Sequence, residues 1–482
     1  MAMDNQSTLH PAVVACNAVA ALYPAQVVKS SSSEFAAAQD SFWDARQRER
    51  APVCFFRPTN AAQVKAALIE VVRAKSHFGI KGGGHSASKG SSSEGSFQFD
   101  LSNLDHVEIS DDKQTVKVGP GVKWGPLFQT LEKHGVMAVG GRDFNVGVPG
   151  FIFGGGLAGG ISYLSAPRGW GIDNLLSVDL VLANGNTVTA DKSSHPDLFK
   201  ALRGGGAHNF GIATSLTLRL YPYTGMWGGV HAIAESHFDD VFNEYDRYSH
   251  ELVKDGKAHL IMDFTWRDNG LIVGLSMGYP EPVDNPPIFD GLRLVPSLVS
   301  TLRLDDCSSL ATEVAEVTDS RGKRNIYWTL AMEYDIELLK SVYELWARTT
   351  KPHASRFQLT LDVNHITPAM RNKAAREDRG NLYGLEGANE PLTNIMLTIV
   401  WENEADDREV AALLKSLGRE IEALAEQHGK SAPFKYMNYA NEEQDVVASF
   451  GEESVSFLKQ VASRYDPEGV FQTLQPGGFK LY

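Results

Sequence analysis

Twenty-six of the chain's 44 glycines fall between Gly79 and Gly211, about one residue in five over that stretch, against a usual share near 7%. Glycine loses more backbone freedom on folding than any other residue. Such density is tolerated where a chain must turn sharply or let something approach its backbone. The stretch reads as one that wraps around something.

The rest of the composition is that of an ordinary globular chain. Its 482 residues, 43% apolar and 22% charged, suffice for two or more domains with sizeable cores. The net charge of −14 argues against a nucleic-acid or anionic-membrane partner. The longest uncharged window, residues 144–167, holds seven glycines and two prolines and does not read as a membrane-spanning helix. The start, MAMDNQSTLH, lacks a cationic secretory signal; either the protein stays inside the cell or a signal has been trimmed. Three cysteines, Cys16, Cys54 and Cys307, show no C-x-x-C spacing, and the only sequon begins at Asn5. The expectation is a cytoplasmic protein with no metal site.

From Pro52 the pattern is strand, helix, strand: VCFF, a helix AAQVKAALIEVVRAK with Thr59 as its cap, then SHFGI running into KGGGHS. Short hairpin pieces follow around Asp111 and Asp112, then an amphipathic helix near Trp124 to His134. SVDLVLANGNTVTA is a hairpin turning at Asn184-Gly185. After Pro222 the character changes. Alternating segments such as HLIMDFTW, GLIVGLSMGY, RFQLTLDVN and NIMLTIVW interleave with helices such as IELLKSVYELWART. Period-two strands among period-3.6 helices predict an antiparallel sheet backed by helices. The expected division is an α+β chain with a first domain over 1–222, a substrate domain over 223–434 and a tail, 435–482, returning to the first domain.

Three glycine triplets punctuate the first domain, KGGGHS, FGGGLAGG and RGGGAHNFG. Successive amides free of side chains form a concave nest for phosphate oxygens. Any one triplet alone is more readily a tight turn, but three together favour a ligand. Gly82, Gly84 and Ala87, and again Gly154, Gly156 and Gly159, also satisfy a dinucleotide fingerprint. That fingerprint must open a helix, and SKGSSSEGS after Ala87 cannot be one, which disfavours a nicotinamide-binding Rossmann dehydrogenase.

These segments, in their order and spacing, resemble the FAD-linked oxidoreductases of the vanillyl-alcohol oxidase and berberine-bridge type, especially fungal members. The carriers include PVCFFRPTNAAQVKAAL, KGGGHS, VGVPGFIFGGGLAGG, YLSAPRGWGIDNLLSVDLVLANG, DLFKALRGGGAHNFGIAT and the tail YMNYANEEQ with YDPEGVFQTLQPGGFKL. The resemblance implies a PCMH-type FAD-binding domain, with the pyrophosphate held by Gly82, Gly83, Gly84, His85 and Ser86. His85 would carry a covalent bond to the flavin. Val146, Gly147, Gly150 and the triplet Gly154, Gly155 and Gly156 would pass along the flavin, with Gly211, Ile212 and Asn438 as further contacts. Many relatives add a second bond from a cysteine three residues before the V-G. That place is Asp143 here, so attachment is expected through His85 only. Cys16 and Cys54 match a pair that tethers the N-terminal helix to the first strand in relatives. They would be thiols in a reducing cytosol and a disulfide in a secreted protein.

The resemblance also supplies a base for the substrate's proton, Tyr439 first and Tyr436 second. A tyrosine is a poor base unless a cationic neighbour lowers its pKa. Gln358, Thr360, Asp362 and Asn364 share one face of a strand, which can look into a pocket or, as is commoner, into solvent. Tyr327, Trp328 and Tyr334 can clamp a flat substrate or fill a core. The expected activity is an oxidase that takes two electrons from a small organic substrate and returns them to dioxygen, in a monomer or dimer. A redox-neutral cyclase, an oligosaccharide oxidase and a flavin-binding protein without turnover stand as alternatives.

Overall fold

A computed structural model describes residues 9–92, 94–154, 160–267, 270–376, 380–387 and 390–482. Among these, the strands form three sheets.

The first is built from the strand–helix–strand pattern, with one change of order. Cys54–Phe56 and Phe78–Lys81 do not pair with each other; Phe97–Asp100 lies between them, parallel to both, and Val27–Lys29 closes the edge. The inserted strand is four residues long and follows a serine-rich loop, so its sequence carries little signal. The helix Ala61–Arg73 is capped by Asn60, not Thr59. Asn60 Oδ1 accepts from the Gln63 backbone N–H at 3.0 Å, while Thr59 stands one residue outside and donates to the Gln63 side chain. An Asn side chain reaches the orphan amide of the first turn from this position. Cys16, on the helix Pro11–Leu22, is disulfide-bonded to Cys54.

The second sheet is antiparallel, ordered Val107–Ile109, Thr115–Val118, Ile212–Pro222, Leu175–Val181, Thr187–Asp191, with Val136–Ala138 added to the end of Ile212–Pro222. The Asn184-Gly185 turn joins the last pair, Gly185 taking φ +80°.

Shortly after Pro222 the chain enters a nine-stranded antiparallel sheet at Met226–Ala234. Its central strands run in the order Gly270–Tyr279, His259–Arg267, Gln358–Ile366, Leu392–Trp401, Arg324–Glu333. Met226–Ala234 has no clear alternation because Gly228 and Gly229 interrupt it. The central strands show the two-residue period as two unlike faces. Phe264, Leu361 and Leu397 are buried with residues of the helices Phe238–Asp255, Ile336–Thr350 and Asp407–Gln427. Each such side chain contributes roughly 1.5–3 kcal/mol by leaving water, so the helices settle on this face and leave the other free. The tail spans both regions. Phe471 packs edge-on to Phe78 at 5.9 Å, and the Gln444 side chain donates to Thr329 of the large sheet.

Candidate functional site

Two cavities lie back to back between the glycine-rich region and the free face of the large sheet. The first is a groove at the C-terminal end of the parallel strand Phe78–Lys81, where open α/β sheets present ligands to their loops. Its walls are the loop 81–88, the segment 146–154, residues 207–213, the turn at Met437–Ala440 and the tail at 475–479. Gly84 adopts φ +74° and its carbonyl accepts from Trp43 N at 2.8 Å. A side chain on Gly83 would bring its Cβ to 2.5 Å from Gly147 Cα. The two loops therefore cross backbone on backbone, and only glycine permits that approach.

Under the loop, Lys81 is bonded to Asp100 at 3.0 Å, and Asp100 also accepts from Arg57. Burial pushes the Asp100 carboxyl up, but the two cations outweigh it and hold the group below the usual carboxylate range.

His85 stands at the end of the groove, 7% exposed, stacked on Trp43 with ring centroids 4.5 Å apart. Its Nε2 is 3.8 Å from Asp143, and its Nδ1 has no hydrogen-bond partner among the described residues. Burial lowers its pKa, partly countered by Asp143, so the imidazole is neutral at pH 7. His85 and Tyr327 line both cavities.

The second cavity, about 250 Å³, has the free face of the large sheet as its floor. Ile261, Asp263 and Thr265 alternate along one strand, and Gln358, Thr360 and Asp362 along the next. The polar face that ordinarily meets bulk solvent here lines a cavity. Asn364, farther along, is buried and accepts from Asn394. Tyr439 enters from the tail, and its hydroxyl accepts from Arg142 at 2.6 Å. Arg142 is 4% exposed, and its other terminal nitrogen is 2.6 Å from His259 Nε2. Burial and the arginine hold His259 neutral, so its ring accepts this bond. Burial raises the Tyr439 pKa and Arg142 offsets only part of that rise.

The residues expected to contact a cofactor come together with few exceptions. Gly82, Gly83, Gly84, His85, Ser86, Val146, Gly147, Gly150, Gly154, Gly211, Ile212 and Asn438 all face the groove. Gly155 and Gly156 lie outside the described residues. The third triplet is a packing feature: Gly204 abuts Leu382, and Gly205 abuts Leu458 and Phe210. The two tyrosines separate. Tyr439 reaches the cavity, whereas Tyr436 lies behind it, edge-on to Tyr439 at 4.8 Å, its hydroxyl accepting from Ile161 N. Of the aromatic candidates, Tyr327 lines the cavity, Trp328 is buried against Gly418, and Tyr334 donates to Asp246. No sequence pattern singles out Trp43, Asp263 or His259. Arg142 had one available signal, as a charge at the edge of the long uncharged window.

The groove fits a flavin nucleotide on its own terms. It offers a glycine cradle from which a Cβ is excluded. It also holds two buried polar atoms without partners among the described residues, His85 Nδ1 and Asn438 Oδ1. Residues 52–191 match the FAD binding domain family. The FAD-dependent monooxygenase FUP4 of Fusarium proliferatum is 33% identical over 457 residues, covering 91% of this chain and 87% of that protein. Among solved structures, 6-hydroxy-D-nicotine oxidase from Arthrobacter nicotinovorans superposes with a TM-score of 0.78 at 22% identity, covering 92% of this chain and 96% of its own. A single-residue variant of berberine bridge enzyme gives 0.76 at 15% identity over 97% and 99%. With the glycine cradle and this relationship along nearly its whole length, the chain belongs to the FAD-linked oxidoreductases and has the fold of berberine bridge enzyme.

Proposed function

We propose that the protein is an oxidase that removes two electrons from a small organic substrate, at an alcohol, phenol or activated carbon of a specialised metabolite, and passes them to dioxygen. The observation that carries this reading is the meeting of the two cavities at His85 and Tyr327. A cofactor held in the groove would thus share a boundary with whatever occupies the floor of the large sheet. Gly82, Gly83, Gly84 and Ser86 would hold the pyrophosphate, Asn438 would contact the ring, and His85, whose Nδ1 is unpartnered among the described residues, would carry the covalent bond. With aspartate at position 143 the attachment is single. Once bound, FAD supplies hydride acceptance and raised oxidising power.

The protein's own part is proton handling and enclosure. Tyr439 Oη takes the proton of the substrate hydroxyl, and the Arg142 guanidinium stabilises the phenolate needed for that transfer. Tyr327 and Trp43 give the cavity a flat wall near His85. The relatives named FAD-dependent monooxygenases also imply a flavin that meets dioxygen, so oxygen uptake with labelled O₂ separates peroxide release from oxygen insertion. The Cys16–Cys54 disulfide supports folding in an oxidising compartment rather than the cytosol. Purified protein should stay yellow through acid precipitation, and His85→Ala should release its colour. Loss of colour from the wild type on denaturation would refute the linkage.

A further inference from the structure

Asp263 and Asp362 are direct cross-strand partners in the floor of the second cavity, which sets their carboxyl groups side by side. Two ionised carboxylates side by side and away from water repel each other, and one shared proton relieves that repulsion. Burial favours the protonated form, and the negative charge of Asp362 adds to this for Asp263. The remaining contacts leave the pair open to a ligand. Thr398 donates to Asp362 at 3.3 Å, while Asp263 Oδ1 has no partner among the described residues.

Arg142 faces the same space and acts on both carboxyls. It is almost fully buried, its Nε is unpartnered, and it bonds Tyr439 and His259 rather than an acid. Of the other charged groups around the cavity, Asp143 lies beside the neutral His85 and adds a negative charge at that end, while Arg267, Asp319 and Arg321 are exposed at the margin and screened by solvent. With one shared proton, the aspartate pair carries a single negative charge that balances the one positive charge of Arg142.

We propose that Asp263, Asp362 and Arg142 form a charge-balanced polar wall that selects a neutral, hydroxyl-bearing substrate and rejects carboxylates. A hydroxyl of the substrate other than the one Tyr439 deprotonates donates to the free oxygen of Asp263. An anion in that place would meet an acceptor it cannot bond and a charge of its own sign, a repulsive element of the kind that sets specificity. The inference rests on the oxidoreductase reading for the role of the cavity and adds the class of substrate.

Infrared spectroscopy of the flavin-loaded protein tests the pair without turnover. The wild type should show a carboxylic-acid carbonyl band at neutral pH that Asp263→Asn removes, because the asparagine amide then donates to an ionised Asp362. Calorimetric titration with benzyl alcohol and with benzoate tests the selection. The wild type should favour the alcohol, and the isosteric double variant Asp263→Asn with Asp362→Asn should reduce that preference about tenfold or more, as expected for removing one buried charge. Absence of the carbonyl band, its survival unchanged in Asp263→Asn, or an unchanged preference in the double variant overturns the proposal. Flavin content, measured on the same samples, reports separately on the cofactor reading.

Discussion

The Arg142 guanidinium donates to the Tyr439 hydroxyl across 2.6 Å, with a sequence separation of 297 residues. Arg142 lowers the pKa of a phenol that burial alone would raise further. Replacing Arg142 with Met should therefore move the alkaline limb of flavin reduction to higher pH, without changing the flavin-to-protein ratio. Tyr439→Phe should slow flavin reduction by about 10²–10⁴-fold, the usual range for a lost proton-transfer group. Stopped-flow bleaching of the flavin across pH measures both, and an unmoved limb in Arg142→Met would refute the pairing.

Gly83 and Gly147 cross with no room for a side chain. Gly83→Ala should destabilise the protein by roughly 1–3 kcal/mol, as overpacking does, and should lower its flavin content because the loop must shift. Thermal unfolding alongside flavin absorbance tests both parts.

Asp100 sits beneath the glycine loop between Lys81 and Arg57. Its folded-state pKa is lowered, so it contributes stability above the ordinary carboxylate value and loses that contribution as pH falls through the folded value. Urea unfolding should accordingly show falling stability under acid conditions. Asp100→Asn should cost about 3–5 kcal/mol at neutral pH by stranding buried Lys81 and should flatten the acid decline.

Unreduced, denatured protein should titrate one thiol, Cys307, and reduced protein three. Removing the bridge, which links residues 38 apart, with a Cys16→Ser and Cys54→Ser pair should cost about 3–4 kcal/mol. Three thiols before reduction would contradict the oxidised pair.

What the sequence makes legible follows from the range of each signal. The hairpin at Gly185 and the helix after Asn60 are local, and both stand where expected, the cap one residue late. Strand order is a long-range property, so the insertion of Phe97–Asp100 between two earlier strands leaves no local trace. Facing is ambiguous for the same reason. Thr360 and Asp362 look alike on paper whether water or a cavity lies beyond them. Arg142, Tyr439 and His259 come from three separated segments, and no spacing rule joins them. The third glycine triplet shows the converse, a sequence pattern identical to the first whose purpose is close packing against Leu382 and Leu458.

The two unlike faces of the large sheet carry a consequence for how such enzymes diversify. Along the central strands, alternate residues are locked beneath helices, and a group of those between them faces the cavity. Exchanges at Ile261, Thr265, Thr360 or Thr398 can thus redraw the reach and polarity of the cavity without repacking the core or disturbing the flavin groove. A lineage built on this frame can explore new chemistry one side chain at a time while its redox equipment stays as it was.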